Sequence, residues 1–138
     1  MTDTFELNGK CLCGAVGLTA TTRKPAVVAC HCDMCRRWAS GPFMSVSCLT
    51  VDFAGAQSVG RIRSSDAAER GFCTQCGSNL YYRRSGSDVY QIAAGLFEET
   101  SGLGLSLQLF VDEKPHFYDF ANDTKTMTGD QFAKAVRG

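Results

Sequence analysis

The sequence predicts a mainly β fold of antiparallel sheets with little helix, held together by clustered cysteines. Three observations support this prediction. Short segments rich in Val, Ile, Leu and aromatic residues recur along the chain and are separated by Gly and Ser turns. The eight cysteines occur mostly in close groups rather than singly. Helix is predicted only for about one turn within 32–38 and for a short segment at 130–136, with Thr128 or Asp130 as its N-cap.

Length and charge narrow the possible classes of protein. A chain of 138 residues predicts one domain over 1–138, with a core at about 5–120 and a C-terminal tail that carries the short helix. Lys and Arg number 14, as do Asp and Glu, so no net field favours nucleic acid or an anionic membrane. No apolar run approaches the roughly 20 residues of a membrane span, and the start lacks the pattern of a signal peptide. We therefore predict a cytoplasmic protein, in which clustered cysteines are metal ligands or catalytic groups.

The predicted strands lie between and beside the cysteine groups. Phe43 to Cys48 alternates bulky and small residues, as a half-buried strand does. Cys48 is alone on this strand, which favours a buried, inert thiol over a reactive or metal-linked one. The strands are predicted at 11–20, 26–29, 43–48, 51–53, 59–63, on both sides of 73–76, at 89–97 and at 105–111.

The densest cysteine group is Cys30, Cys32 and Cys35. On an extended backbone Cys30 and Cys32 point the same way, and a turn through the next two residues brings Cys35 to the same point. Zinc prefers four tetrahedral ligands, and a site with three from the protein keeps one position open for chemistry. The alternative is that a fourth Cys or His from elsewhere closes the site, in which case the metal only stabilises the loop.

Two distant pairs supply a second candidate site. Cys11 and Cys13 are two residues apart, and Cys73 and Cys76 flank a tight turn in which Gly77 is free to take a positive φ. Alone, the first pair is as compatible with two buried apolar thiols, and the second with a redox motif, which would need a βαβ context. Together the pairs complete a site of four sulfurs. With Cys48 set aside, the thiols divide into a closed group of four and a local group of three.

Two arginines follow the local group directly. Zinc with three thiolates carries one negative charge, and a substrate thiolate would make it two, which favours nearby cations. Arg36 and Arg37 are therefore candidates for holding a carboxylate or a developing alkoxide, although both also fit ordinary solvated charges. His116 is interpreted as a surface or packing residue.

The order and spacing of these motifs resemble one known family. The motifs are Cys11-x-Cys13-Gly14, Cys30-His31-Cys32-x-x-Cys35-Arg36 and Phe72-Cys73-x-x-Cys76-Gly77, with later likeness at 95–98 and 110–114. Over roughly residues 5–120 the chain resembles the glutathione-dependent formaldehyde-activating enzyme and centromere protein V family. The resemblance implies a zinc-pinned β-tent fold with a structural zinc at Cys11, Cys13, Cys73 and Cys76. It also implies a catalytic zinc at Cys30, Cys32 and Cys35. Phe117 and Gln108 depart from the family's usual Trp and His.

The resemblance and the residues together predict a zinc-dependent carbon–sulfur lyase. Its reaction would be the reversible addition of a thiol, glutathione or similar, to formaldehyde or another small aldehyde, as in an S-(hydroxymethyl)glutathione synthase. Cys30, Cys32, Cys35 and Arg36 are the predicted catalytic residues. Two zinc ions per chain are expected, with small-molecule thiol and aldehyde as partners and neither nucleic acid nor membrane. A non-catalytic, zinc-stabilised binding module is the alternative. An enzyme like methionine sulfoxide reductase fits less well, because it needs two C-x-x-C pairs and a reactive thiol such as Cys48.

Overall fold

The computed structural model describes residues 3–137, and this part of the chain is mainly β, which confirms the predicted fold class. The two helices are α1 (Asp33–Ala39) and α2 (Gly129–Arg137), and short 3-10 turns lie at Ala56–Ser58, Ala94–Leu96 and Val111–Glu113. The strands are β1 (Phe5–Lys10), β2 (Gly17–Thr22), β3 (Ala26–Cys30), β4 (Phe43–Cys48), β5 (Thr50–Ala54), β6 (Val59–Ser65), β7 (Ala68–Cys73), β8 (Asn79–Arg84), β9 (Tyr90–Ala93), β10 (Gly104–Leu109) and β11 (Lys125–Met127).

The described residues form two compact units, each built from two separate stretches of chain. The first unit contains 3–25 and 45–103, and the second contains 26–44 and 104–137. One domain over 1–138 stays a prediction, and residues 1, 2 and 138 lie outside the described part. Neither helix in that part is long and apolar enough to cross a bilayer.

Antiparallel pairing organises the first unit. One sheet has the strand order β1-β2-β5. Five further strands pair in the order β4-β9-β8-β7-β6, each antiparallel to its neighbours. Along β2, Leu18, Ala20 and Thr22 are buried at alternate positions, so that this face of the hairpin contributes to the core. Tyr81 on β8 is fully buried, and its ring lies directly over Gly71, where a Cβ atom would collide with it.

The second unit differs from the prediction because its strands pair in parallel. β10 lies between β3 and β11 and runs parallel to both. Parallel partners need a long connection, and here β3 and β10 are far apart in the sequence, so no local turn signals the pairing. α2 begins with a capping box in which the Gln131 N–H donates to Thr128 Oγ1 and the Thr128 N–H donates to Gln131 Oε1. Thr128 is thus the N-cap, one of the two predicted candidates.

The strand limits differ from the prediction in the first hairpin. The strand predicted at 11–20 begins only at Gly17, because residues 11–16 form the turn between β1 and β2. The Cys11 N–H donates to Val16 O across this turn, and Gly14 takes a left-handed φ of 81°. Space is not the reason for that glycine, since a Cβ at residue 14 would meet nothing within 4 Å. Its positive φ is.

Two other strands end earlier than predicted, and two were not predicted. β9 ends at Ala93 in a 3-10 turn, and β10 ends at Leu109 because Phe110 adopts a left-handed φ of 57°. β1 is mostly exposed and polar, and β11 has three residues. Both exist through pairing with a neighbour, which local hydrophobic pattern does not report.

Candidate metal centres

The first cysteine group lies in two turns of the first unit. Cys11 and Cys13 lie in the turn between β1 and β2, and Cys73 and Cys76 lie where β7 turns into β8. Gly77 has a φ of 79°, which confirms the conformation predicted for it. The Leu12 N–H donates to Ser78 Oγ, so a hydrogen bond joins the two turns directly.

The four sulfurs of this group lie close enough to share one ion. All are within 4.8 Å of one another, and Cys13 Sγ lies 3.7 Å from Cys11 Sγ and 3.9 Å from Cys73 Sγ. Zinc–sulfur bonds of about 2.3 Å in a tetrahedron place sulfurs about 3.8 Å apart. The donor set and its spacing therefore fit tetrahedral zinc.

Hydrogen bonds to the sulfurs favour the charged form that a metal ligand needs. Backbone N–H groups of Val16, Ala15 and Gln75 donate to the sulfurs of Cys11, Cys13 and Cys73 at 3.3 to 3.4 Å. The hydroxyl and N–H of Ser78 lower the pKa of Cys76 to about 5. Thiolates, rather than thiols, bind zinc, so these donors stabilise the ligand state.

The second cysteine group lies at the junction of β3 and α1. Cys30 is the last residue of β3, Cys32 is the N-cap of α1, and Cys35 lies buried in its first turn. Their sulfurs are also within 4.8 Å of one another. No fourth His, Cys, Asp or Glu among residues 3–137 joins this group. Three of four tetrahedral positions are thus available from the chain, as in catalytic zinc sites.

Contacts within the second group shift the pKa values of Cys32 and Cys30 in opposite directions. The thiols of Cys30 and Cys35 donate to Cys32 Sγ, and these bonds, with the Cys35 N–H at 3.4 Å, lower the pKa of Cys32 to about 2. The same contacts raise the pKa of Cys30, because they favour its protonated form. Cys32 is therefore both the helix cap and a thiol whose neighbours favour its thiolate form.

His31 lies between two of these cysteines and is fully buried, with 0% of its surface exposed. Its Nε2 lies 2.8 Å from Gln108 Oε1 and its Nδ1 lies 2.7 Å from the Tyr118 hydroxyl. An amide oxygen only accepts, so Nε2 carries a hydrogen, and in the neutral ring Nδ1 then accepts from the Tyr118 hydroxyl. Burial lowers the pKa of His31, and the nearby Lys114 and Arg36 charges add to this effect. The imidazole is a neutral anchor for the loop.

No role was predicted for His31 from the sequence, and its partners show that it anchors the loop. Gln108, noted as a departure from the family pattern, is fixed in turn by donating to Thr124 Oγ1 at 2.9 Å. The rings of Tyr118 and Phe120 each lie 5.5 Å from the imidazole ring. The sequence did contain a signal for a separate role of His31. On an extended backbone this residue lies between Cys30 and Cys32 and faces the opposite side from both.

Replacing His31 with alanine is expected to lower the free energy of unfolding by about 3 kcal/mol. The change leaves a cavity and removes both hydrogen bonds from buried partners. Urea unfolding of the zinc-loaded protein measures the loss. His116, the other histidine of the chain, is exposed, so His116→Ala is the matched control and should leave the midpoint unchanged. Equal midpoints for both variants would contradict the anchoring role.

The other predicted residues are placed as follows. Arg36 is half-buried, and its Nε donates to the His31 carbonyl oxygen at 2.9 Å, while Arg37 is exposed. His116 is exposed, in line with its interpretation as a surface residue. Cys48 is fully buried, as predicted, and burial raises its pKa to about 12, which disfavours the reactive thiolate. Metal binding by the seven grouped cysteines stays a prediction.

Comparison with known proteins identifies relatives of this chain. A Schizosaccharomyces pombe protein named as an uncharacterized lyase is 40% identical over 133 residues, which cover 95% of this chain and 97% of that protein. A crystal structure of a Rhodobacter sphaeroides protein shares the fold with a TM-score of 0.59 at 19% identity, covering 72% of this chain and 100% of that one. The family model described as glutathione-dependent formaldehyde-activating enzyme matches residues 6–113. The chain therefore belongs to the glutathione-dependent formaldehyde-activating enzyme family.

Proposed function

We propose that the protein is a zinc-dependent carbon–sulfur lyase that adds a thiol reversibly to formaldehyde or another small aldehyde. The observation that carries the proposal is the unequal size of the two cysteine groups, four sulfurs in one and three in the other. Family membership and the lyase name of the fungal relative support the reaction class. Glutathione or a similar cytosolic thiol is the proposed co-substrate, and the cytoplasm is the predicted compartment.

The two groups are proposed to have different duties. Cys11, Cys13, Cys73 and Cys76 would hold a structural zinc, with no ligand position left for substrate. The sulfurs of Cys30, Cys32 and Cys35 would hold a second zinc, which supplies the acidity that converts an added thiol into a thiolate at neutral pH. His31 fixes the backbone between two of these ligands, so that their directions are set before any ligand binds.

The chemistry is an addition in which no electrons are lost or gained overall. The thiol sulfur forms a bond to the carbonyl carbon, the carbon–oxygen double bond becomes single, and the thiol proton ends on that oxygen. The product is a hemithioacetal, which for formaldehyde is the S-hydroxymethyl derivative of the thiol, and the reverse reaction follows the same steps. Arg36 is the proposed electrophilic residue. The Arg36 Nε donates to the His31 carbonyl oxygen, so the guanidinium is already oriented before the reaction. The positive charge of Arg36 then stabilises the developing alkoxide.

The test is whether the zinc-loaded protein accelerates exchange between free and thiol-bound formaldehyde. Because the addition also occurs without protein, the rate is measured at equilibrium by NMR exchange spectroscopy against a protein-free blank. Glutathione, cysteine and 2-mercaptoethanol form the panel of thiols. We expect faster exchange for at least one thiol, and Cys48→Ala, which alters only the inert thiol, should retain it. Exchange at the blank rate for all three would instead favour a non-catalytic binding module.

A further inference from the structure

A cavity of about 270 Å³ lies beside the three-cysteine loop, entirely within the second unit. Its walls are Asp33, Arg36, Arg37, Ser40, Gly41 and Phe117. The first four are spaced i, i+3, i+4 and i+7, which is one face of α1 and its C-cap. Asp33 and Arg36 directly follow two of the predicted zinc ligands in the sequence, so the cavity and the loop share a helix.

The cavity carries a net positive charge. It contains two guanidinium groups and one carboxylate, and Arg36 is already fixed by the His31 carbonyl. Arg37 Nε lies 3.7 Å from Asp33 Oδ2, but these side chains are 82% and 55% exposed. An exposed pair at this distance is weak and easily exchanged. Arg37 is therefore held near the cavity by an internal carboxylate that an incoming carboxylate can replace.

The remaining wall is apolar. Phe117 lines the cavity, although 78% of its surface is exposed. The cavity thus joins an aromatic surface to a planar guanidinium, whose donors match both oxygens of a carboxylate. A short carbon chain that ends in a carboxylate fits this combination of an apolar wall and a cationic end.

We propose that this cavity binds the carboxylate end of the thiol substrate and that Arg37 is the residue that selects acidic thiols. The proposal rests on the function proposed above, which already includes glutathione, and adds the residue that recognises the carboxylate of the thiol. Asp33 acts as the competing internal anion, and Phe117 covers the carbon chain of the substrate. Arg36 keeps the role proposed above, stabilising the oxygen of the reacting carbonyl. The two neighbouring arginines therefore act on different parts of the substrates.

Two thiols that differ only in the relevant group test the assignment. N-acetylcysteine has a carboxylate where N-acetylcysteine amide has a neutral amide. Formaldehyde exchange is measured for each thiol with wild type, Arg37→Gln, Asp33→Asn and the control Arg63→Gln, which alters an exposed arginine of the first unit. For each thiol, the exchange rate with a variant is compared with the rate with wild type. The difference in acidity between the two thiols therefore does not affect the comparison. Zinc content and circular dichroism establish that each variant is folded.

We expect Arg37→Gln to raise KM for N-acetylcysteine roughly two- to fivefold, the effect of losing one exposed charge pair. Its kcat and both constants for the amide should stay unchanged. Asp33→Asn should lower KM for the acid, because the internal competitor is gone, and Arg63→Gln should change neither thiol. Equal effects of Arg37→Gln on the two thiols, or no effect, would overturn the assignment while the lyase activity stands. If wild type accelerates glutathione but neither of these two thiols, the assignment of Arg37 is overturned and the lyase proposal stands; if it accelerates no thiol at all, both proposals are overturned.

Discussion

Cys76→Ala is expected to remove one zinc ion and to unfold the protein at room temperature. The side chain of Cys76 is only half-buried, so its truncation costs little packing and the effect reports on the metal site. The four sulfurs join turns 60 residues apart, and closing such a loop restricts the unfolded chain. Structural zinc contributes about 10–16 kcal/mol in zinc-finger peptides, as much as the whole stability of a typical domain. Metal analysis and circular dichroism measure the two outcomes.

Cys48→Ala provides the matched comparison for this experiment. It also removes a cysteine of the first unit, but one outside both sulfur groups. This variant should retain two zinc ions and a cooperative unfolding transition at slightly lower stability. A folded Cys76→Ala protein that still held two zinc ions would show that the four sulfurs do not form a structural site.

Cys32→Ala is expected to remove the other zinc ion and all activity while the protein stays folded. The three sulfurs lie within six residues, so their metal closes almost no loop, and its loss has a small effect on the rest of the fold. Exchange of formaldehyde should fall to the protein-free rate. Zinc content, circular dichroism and exchange spectroscopy on one preparation measure all three properties.

A serine variant separates the two roles of Cys32. Its sulfur caps α1 by accepting the Cys35 N–H, and loss of an N-cap costs about 0.5–2 kcal/mol. Cys32→Ser keeps a capping oxygen but loses the thiolate, so it should regain the stability that Cys32→Ala loses and remain inactive. If Cys32→Ala and Cys76→Ala instead unfolded to the same extent, the proposed division between catalytic and structural zinc would be wrong.

The cysteine groups could be predicted from the sequence because metal ligation imposes its own spacing. Cys30, Cys32 and Cys35 are local, so any backbone that turns after residue 32 brings their sulfurs together. The distant pairs were matched by their chemistry, since each offered half of a tetrahedral site. The fold class was predictable for a similar reason, because the turns and alternating strands of the first unit are local features.

What could not be predicted depends on contacts between distant residues. β10 acquires two parallel neighbours, and no turn sequence specifies such a pairing. His31 meets Gln108 and Tyr118 across 77 and 87 residues, so its role is visible only after the chain has folded. The cavity beside α1 has the same origin, since Phe117 joins a helix face formed some eighty residues earlier in the chain.

The burial of Cys48 has a consequence for a protein that handles an electrophile. Formaldehyde forms adducts with free thiolates, and in the described residues this is the one cysteine outside the two groups. With 0% exposure and a pKa raised to about 12, it offers neither an accessible atom nor a charged form to attack. We therefore expect Cys48 to resist modification by the proposed reactant, and the other seven cysteines to be protected for as long as metal occupies their sulfurs.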